Sequence, residues 1–298
     1  MKISGSFFTL ALTGSLLVWL FAACSPPHPD AVVVGSKNFA EQEILGELLA
    51  QHIHAATGLP VERRFYLGGT YIAQQAILAG RIDVYVEYTG TALEAILKQS
   101  ARGSPEETYQ HVKTEYASRY HLVVMPPLGF EDSFAIVVRG EDARRYHLKT
   151  ISQLASVAPQ WRPGFGYEFM ERKDGYRGFV QTYDLHFTSS PRIMDLGLLY
   201  RALISHQVDL VAGNSTDGMI EAYHLVVLQD DRHYFPPYQA VPIAREQMLH
   251  RYPAVRKALE GLAGKISTDE MREMNYEVVA KHRSAREVVE EFRKSRDL

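Results

Sequence analysis

Residues 76–84 read AILAGRIDV, and residues 202–210 read ALISHQVDL, so one pattern occurs in both halves of the chain. In each copy an apolar helix end leads through a tight turn into an apolar strand that carries one aspartate. Each strand then enters a polar turn and a new helix, through residues 88–91 (YTGT) or 214–217 (NSTD). Two distant copies of one unit predict two lobes of similar build. The alternative is that unrelated parallel α/β units share this general pattern.

Strand and helix patterns alternate along the rest of the chain. Short apolar runs predict strands at 31–35, 61–67, 82–87, 134–139 and 208–212. Helical spacing predicts helices at 38–57, 69–78, 91–98, 152–158, 176–183, 195–205 and 253–263. Further helices are predicted to begin at Ser104, Ser267 and Ser284. This alternation predicts the α/β class with mostly parallel strands.

Two helix boundaries of the first long helix are predicted from capping chemistry. Asn38 with Glu41 three residues later has the spacing of a capping box, and Gly58 is predicted to end that helix. The acidic pairs at 131–132 and 230–231 are interpreted as solvated turns.

Composition excludes several classes of protein. The 298 residues carry a net charge of −3 and are 46% hydrophobic, which excludes a disordered chain and a basic nucleic-acid-binding surface. A single cysteine excludes an intramolecular disulfide, a thiolate metal cluster and an iron–sulfur centre. The length is sufficient for two packed lobes.

The first 30 residues have the pattern of an export signal and a tether. Lys2 precedes an uncharged, largely apolar stretch that ends at Cys24, which predicts a signal peptide over 1–23. The sequence LFAAC at 20–24 resembles a bacterial lipobox, so Cys24 is the predicted lipidation site, and residues 24–30 form a proline-rich tether. The alternatives are a chance cysteine in an ordinary signal and a retained membrane helix.

Four predicted strand exits favour a small-ligand cleft, namely 36–38, 68–70, 88–91 and 214–218. Ligands bind beyond the carboxyl ends of strands in open α/β sheets, and free N–H groups at helix starts favour a carboxylate. The 17 tyrosines supply ring faces that can hold a cation lacking hydrogen-bond donors. No GxSxG or HExxH motif is present, so no enzyme activity, metal or cofactor is predicted.

Seven stretches, taken in order, resemble one known family. They are 35–42 (GSKNFAEQ), 67–70 (LGGT), 82–92 (IDVYVEYTGTA), 128–130 (LGF), 172–176 (RKDGY), 215–218 (STDG) and 230–238 (DDRHYFPPY). The sequence over about 32–292 is similar to the substrate-binding proteins of ABC importers for glycine betaine, choline and carnitine.

This resemblance implies a two-lobed type II periplasmic-binding fold joined by a two-segment hinge. Residues 31–132 plus 239–298 would form lobe 1 and residues 133–238 lobe 2, with crossings near 133 and 239. The implied protein is a monomer in the periplasm or on the outer face of the cell membrane. It would touch the membrane only through its lipid anchor, bind no nucleic acid, and deliver a small zwitterion to an ABC permease.

The resemblance also implies the ligand contacts. Tyr88 and Tyr238 would enclose a quaternary ammonium group, whereas Lys37, Thr91 and Arg172 would bind the carboxylate.

Two positions depart from the family pattern, since Phe134 and Asn214 stand where box tyrosines are expected. A phenylalanine keeps a ring face, but an asparagine has none, and each cation–π contact is worth about 0.5–2 kcal/mol. Asn214 can instead hydrogen-bond an amide, a hydroxyl or a ring nitrogen of a ligand.

Three alternatives therefore stay open. The first is a different polar zwitterion in the same cleft. The second is a small-acid lyase on this fold, with Glu87 or Asp217 as acid or base. The third is an envelope lipoprotein that binds a receptor rather than a permease.

Overall fold

The computed structural model describes residues 31–100 and 104–298. The predicted signal peptide, the tether and the lipidation site at Cys24 lie outside the described residues. Within them the chain forms two five-stranded sheets with helices on both faces.

The strands of the first sheet come from both ends of the described chain. They are β1 (Val32–Gly35), β2 (Val61–Arg64), β3 (Val84–Tyr88), β4 (Leu122–Val124) and β10 (Ala240–Arg245), in the order β2-β1-β3-β10-β4. The strands of the second sheet come from the middle of the chain. They are β5 (Phe134–Arg139), β6 (Pro163–Phe165), β7 (Arg192–Ile193), β8 (Leu210–Asn214) and β9 (Leu225–Val227), in the order β7-β6-β8-β5-β9.

Helices flank both sheets. Around the first sheet lie α1 (Ala40–Thr57), α2 (Thr70–Leu78), α3 (Thr89–Thr91), α4 (Pro105–Tyr120), α10 (Glu246–Arg251), α11 (Pro253–Gly261), α12 (Thr268–Val279) and α13 (Ala285–Ser295). Around the second lie α5 (Gly140–Arg145), α6 (Tyr167–Glu171), α7 (Tyr176–Tyr183), α8 (Leu196–Ile204) and α9 (Gly218–Ala222). We call each sheet with its helices the first lobe and the second lobe.

The two-lobed α/β class with mostly parallel sheets is the predicted one, since four of the five strands of each sheet run in the same direction and one strand is antiparallel to them. In the first sheet β1 pairs in parallel with β2 and β3, whereas β10 is antiparallel to β3 and β4. The second sheet repeats this arrangement, with β5 as the antiparallel strand. Strands β5 and β10 follow the two passages of the chain between the sheets, so their direction depends on the crossing and not on a strand–helix–strand unit.

The internal repeat is a structural repeat. Asp83 and Asp209 each accept a backbone N–H from a neighbouring segment, that of Val33 or of Arg162, at 2.9 Å. Each also forms an ion pair with the arginine that ends the antiparallel strand of its sheet. Arg245 contacts Asp83 at 3.2 Å, and Arg139 contacts Asp209 at 2.9 Å. The shared aspartate thus has the same role in both lobes.

Most predicted helix boundaries agree with the structure, and Asn38 is the exception. Gly58 ends α1 with a left-handed φ of 70°, and the capping box of Ser104 is present. Helix α1 begins after Phe39 without a side-chain cap, so the predicted capping box of Asn38 and Glu41 is wrong. Glu41 points instead into the space between the lobes, where it is buried.

Two predicted α-helices have other forms. The segment predicted at 91–98 is α3 followed by a π-helical turn, Ala92–Ile96. The segment predicted at 152–158 consists of two 3₁₀ turns, Ile151–Ser156 and Ala158–Gln160.

Apolar side chains pack on both faces of each sheet. In the first lobe α1 packs against α11, α12 and α13 on one face, and α2 and α4 cover the other. The second lobe also has two apolar layers. Among the described residues, no helix is both long enough and apolar enough to cross a bilayer.

The two passages between the lobes run side by side. Glu131 forms an isolated antiparallel bridge with Gln239, and the N–H of Asp132 donates to the carbonyl of Tyr238 at 3.1 Å. This narrow double connection lies directly beneath the space between the lobes.

Candidate functional site

A cavity of about 330 Å³ lies between the lobes. Its lining includes every side chain predicted to contact the ligand, namely Lys37, Tyr88, Thr91, Phe134, Arg172, Asn214 and Tyr238. The strand ends explain this convergence, because Tyr88 and Asn214 are the last residues of β3 and β8, and Phe134 is the first residue of β5.

Aromatic rings form part of the cavity wall. Tyr88 and Tyr238 are both buried, and the ring of Phe134 meets that of Tyr238 edge-on at 5.9 Å between centroids. Gly90 lets the Tyr238 ring approach α3, since a Cβ atom at Gly90 would lie 2.8 Å from that ring. The rings offer π faces to a cation.

Lys37 follows β1 and is buried in the first lobe. Its Nζ donates to Oε1 of Glu87 at 2.5 Å and lies 4.6 Å from the centroid of the Tyr88 ring. An ammonium group has three N–H donors, so this contact with Glu87 leaves two for a ligand. Glu87, considered as a catalytic group from the sequence, is fully buried as the partner of Lys37.

Arg172 of the second lobe spans the cavity. Asp174 accepts from its Nε at 2.8 Å and from Nη2 at 2.5 Å, and its Nη1 donates to the Thr91 hydroxyl of the first lobe at 3.1 Å. The guanidinium carbon lies 4.8 Å from the centroid of the Phe134 ring. Burial alone would lower the pKa of Arg172, but Tyr238 and Asp174 outweigh it and raise the pKa. The arginine is therefore a fixed cation held in one orientation.

Glu168 makes a second contact across the cavity, which the sequence did not indicate. Its carboxylate accepts the backbone N–H of Thr70 at 2.6 Å and the Thr70 hydroxyl at 3.1 Å. Thr70 is the first residue of α2, so an acid from the second lobe caps a helix of the first. This contact holds the two lobes together.

Two buried carboxylates lie beside the hinge. Glu41 accepts hydrogen bonds from the Tyr88 hydroxyl at 2.6 Å, from Asn275 at 2.8 Å and from the Thr216 hydroxyl. Burial raises the pKa of Glu41 despite these donors, and burial together with Glu41 raises the pKa of Asp132 well above its usual range. The prediction of a solvated turn is therefore wrong for Asp132. This residue is buried because the hinge segment lies beneath the cavity.

Asp132 accepts hydrogen bonds from the second lobe. Its Oδ1 accepts from the Ser215 hydroxyl and from the Thr216 N–H, both at 3.3 Å. The side chain of Asn214 makes no hydrogen bond within the described part of the chain, and it also lines a second cavity of about 780 Å³. Residues 31–100 and 104–298 contain no group of acidic, histidine or cysteine side chains arranged to hold a metal.

Residues 30–295 match the family model for the substrate-binding domain of the ABC-type glycine betaine transport system. The chain belongs to this family. Its members are transport binding proteins that act outside the cytoplasm, bind small ligands and work with permease subunits. The two lobes described above have the type II periplasmic-binding fold of this family.

Relatives match almost the whole chain. The carnitine transport binding protein OpuCC of Listeria monocytogenes is 35% identical over 298 residues, which cover 98% of this chain and 96% of OpuCC. A glycine-betaine-binding protein of Pseudomonas aeruginosa is 30% identical over 94% of this chain and 92% of its own length. The ergothioneine transport permease/ergothioneine binding protein EgtU of Helicobacter pylori is 33% identical over 88% of this chain and 47% of EgtU.

A crystal structure described as a glycine betaine/carnitine/choline ABC transporter has the same fold. It superposes with a TM-score of 0.74 at 33% identity and covers 89% of this chain and 98% of its own.

Proposed function

We propose that this protein captures a quaternary-ammonium zwitterion such as glycine betaine between its lobes and delivers it to an ABC permease. The observation that carries the proposal is the arrangement of charge and rings in one buried cavity. Lys37 and Arg172 present N–H donors, and Tyr88 and Tyr238 present ring faces. A molecule with a methylated ammonium at one end and a carboxylate at the other matches both features.

Closure of the lobes would complete the site. Arg172 and Glu168 belong to the second lobe, whereas their partners Thr91 and Thr70 belong to the first. These contacts require the lobes to be close together, so a ligand that adds contacts to both sides favours the closed arrangement. We place the hinge crossings near 133 and 239, with lobe 1 over 31–132 plus 239–298 and lobe 2 over 133–238.

The cellular setting follows from the same proposal. We infer that Cys24 carries a lipid, that the protein is a monomer held at the outer face of the cell membrane or in the periplasm, and that the membrane is touched only through this anchor. Palmitate labelling of the wild type but not of Cys24→Ala would test the anchor.

Calorimetric titration of purified protein with glycine betaine, choline and carnitine tests the ligand class. We expect saturable 1:1 binding of at least one of them without turnover. Calorimetry is preferable to tryptophan fluorescence, because Trp161 is buried in the second lobe against Tyr146 and does not line the cavity.

A matched pair of variants tests the role of the ring. Tyr238→Leu removes the π face and should weaken binding about 2- to 30-fold, whereas Tyr238→Phe keeps the face and should bind more tightly than the leucine variant. Wild-type protein that binds none of the three compounds would exclude the proposed function.

A further inference from the structure

Each cation on the cavity wall is paired with a buried carboxylate of its own lobe. In the first lobe Lys37 donates to Glu87 at 2.5 Å, and the Glu87 side chain is fully buried. In the second lobe Asp174 accepts two hydrogen bonds from Arg172, and these two side chains are 3% and 2% exposed. The cavity therefore offers N–H donors to a ligand without a surplus of positive charge.

A further acid near the arginine adds negative charge. Oε2 of Glu168 lies 3.9 Å from Nη1 of Arg172, and the Glu168 side chain is 33% exposed, so solvent screens it more than Asp174. Among the described residues, Lys37 and Arg172 are the only lysine and arginine that line this cavity. A ligand that is simply an anion thus meets no net positive field.

The two paired carboxylates are also attached to the ring wall. The Tyr238 hydroxyl donates to Asp174, and Glu87 directly precedes Tyr88 and accepts its backbone N–H at 3.0 Å. Negative charge beside the rings favours a cation at the ring faces by direct attraction. The same two acids therefore oppose a lone anion and favour an ammonium group.

Resting on the proposed function, we infer that Glu87 and Asp174 are specificity-determining residues, which make the closed site accept a carboxylate only when the same ligand carries a positive charge. Without these acids, Lys37 and Arg172 would form a dication that attracts any small carboxylate. The rings favour an ammonium group but do not reject an anion, so this selectivity is a separate property of the two acids.

A pair of ligands with the same shape tests the inference by calorimetric titration. Glycine betaine and tert-butylacetate have the same heavy-atom skeleton, except that carbon replaces the ammonium nitrogen, so they differ by one positive charge. The wild type should bind glycine betaine at least about tenfold more tightly. Where the protein binds carnitine and not glycine betaine, the carbon isostere of carnitine takes the place of tert-butylacetate.

Asp174→Asn is the deciding variant, because an arginine keeps its charge when it loses its partner. Affinity for tert-butylacetate should rise about 3- to 30-fold, since a unit charge at roughly 8 Å and an effective dielectric constant of about 20 changes an affinity by about 30-fold. Structural damage would weaken the binding of both ligands, so it cannot produce this gain.

Glu87→Gln should change the selectivity in the same direction. It is measured at about pH 6, because low pH keeps the unpaired lysine protonated. Asp195→Asn is the matched control, since Asp195 also lines the cavity but is exposed. Solvent screens its charge, and the variant should keep the wild-type ratio of the two affinities.

The outcomes separate the two proposals. Thermal unfolding checks that the variants fold, and Glu87→Gln decides if Asp174→Asn does not. An anion affinity that fails to rise in the deciding variant would overturn this inference alone, as would a wild type that binds both members of the ligand pair equally or binds only choline. Failure to bind glycine betaine, carnitine and choline would instead remove the proposed function on which it rests.

Discussion

Arg172 contacts several different parts of the site. Its guanidinium is held by Asp174, reaches Thr91 in the other lobe and lies over the ring of Phe134. A planar fork with five donors can make these contacts together, whereas an ammonium group cannot. The orientation of this one side chain therefore connects the ring wall, the carboxylate site and the contact between the lobes.

Arg172→Lys tests that geometry while keeping the charge. The lysine loses the paired contact with Asp174 and the reach to Thr91, so affinity for a betaine should fall about tenfold or more. Arg162→Lys is the control, since Arg162 pairs with Asp209 away from the cavity and should bind normally. Equal affinities of the two variants, measured by calorimetry, would show that the fork is unimportant.

At the scale of elements, the short helix α3 holds the cavity wall in place. It begins directly after Tyr88 and contains both Gly90 and Thr91, so one turn of helix contributes a ring contact and a hydroxyl. A Cβ atom on Gly90 would lie 2.7 Å from the Pro237 carbonyl oxygen and 2.8 Å from the Tyr238 ring. The glycine is required by close packing against the hinge segment.

Gly90→Ala should therefore displace Tyr238. We expect a loss of about 1–3 kcal/mol in the free energy of unfolding, together with weaker ligand binding. Gly197→Ala is the matched control, because a Cβ at that position of α8 would meet no atom within 4 Å apart from its chain neighbours and its own helix backbone, and alanine should stabilise the helix by about 0.5–1 kcal/mol. Denaturant unfolding of both variants measures the difference, and equal stabilities would contradict the packing argument.

At the scale of the whole molecule, acidic side chains gather where the lobes meet. Burial raises the pKa of Asp217 to about 6, with Glu41 adding to the shift, and the pKa of Asp132 is raised as well. An acid whose pKa is higher in the folded state binds more protons folded than unfolded. Its contribution to stability is present at low pH and is lost as the pH rises through the window between the two pKa values.

The free energy of unfolding should accordingly contain a component that falls between about pH 4 and pH 6. For Asp217 the upper limit is about 3 kcal/mol, reduced by solvent screening because the residue is only partly buried. Asp217→Asn keeps an N-cap for α9 and should flatten the pH dependence. Denaturant unfolding from pH 4 to pH 7 measures the slope, and identical slopes in wild type and variant would contradict the assignment. Asp209, with a pKa lowered to about 2, loses its stabilising effect only below this window.

The sequence by itself determined the alternation of strands and helices, the repeated unit with its aspartates, and the helix boundaries at Gly58 and Ser104. These features depend on backbone preferences and on contacts between residues close in the chain, which a local pattern records. Family motifs also placed the seven predicted contact residues, which line one cavity in the structure.

Only the tertiary structure decided the direction of β5 and β10, the burial of Glu41 and Asp132, and the contact of Glu168 with Thr70. Each of these depends on groups far apart in the chain, as when Asn275 donates to Glu41. The local sequence around Glu41 is the same whether its carboxylate caps a helix or is buried between the lobes. The burial depends on which surface the other lobe covers, and only the packing of the two lobes against each other decides that.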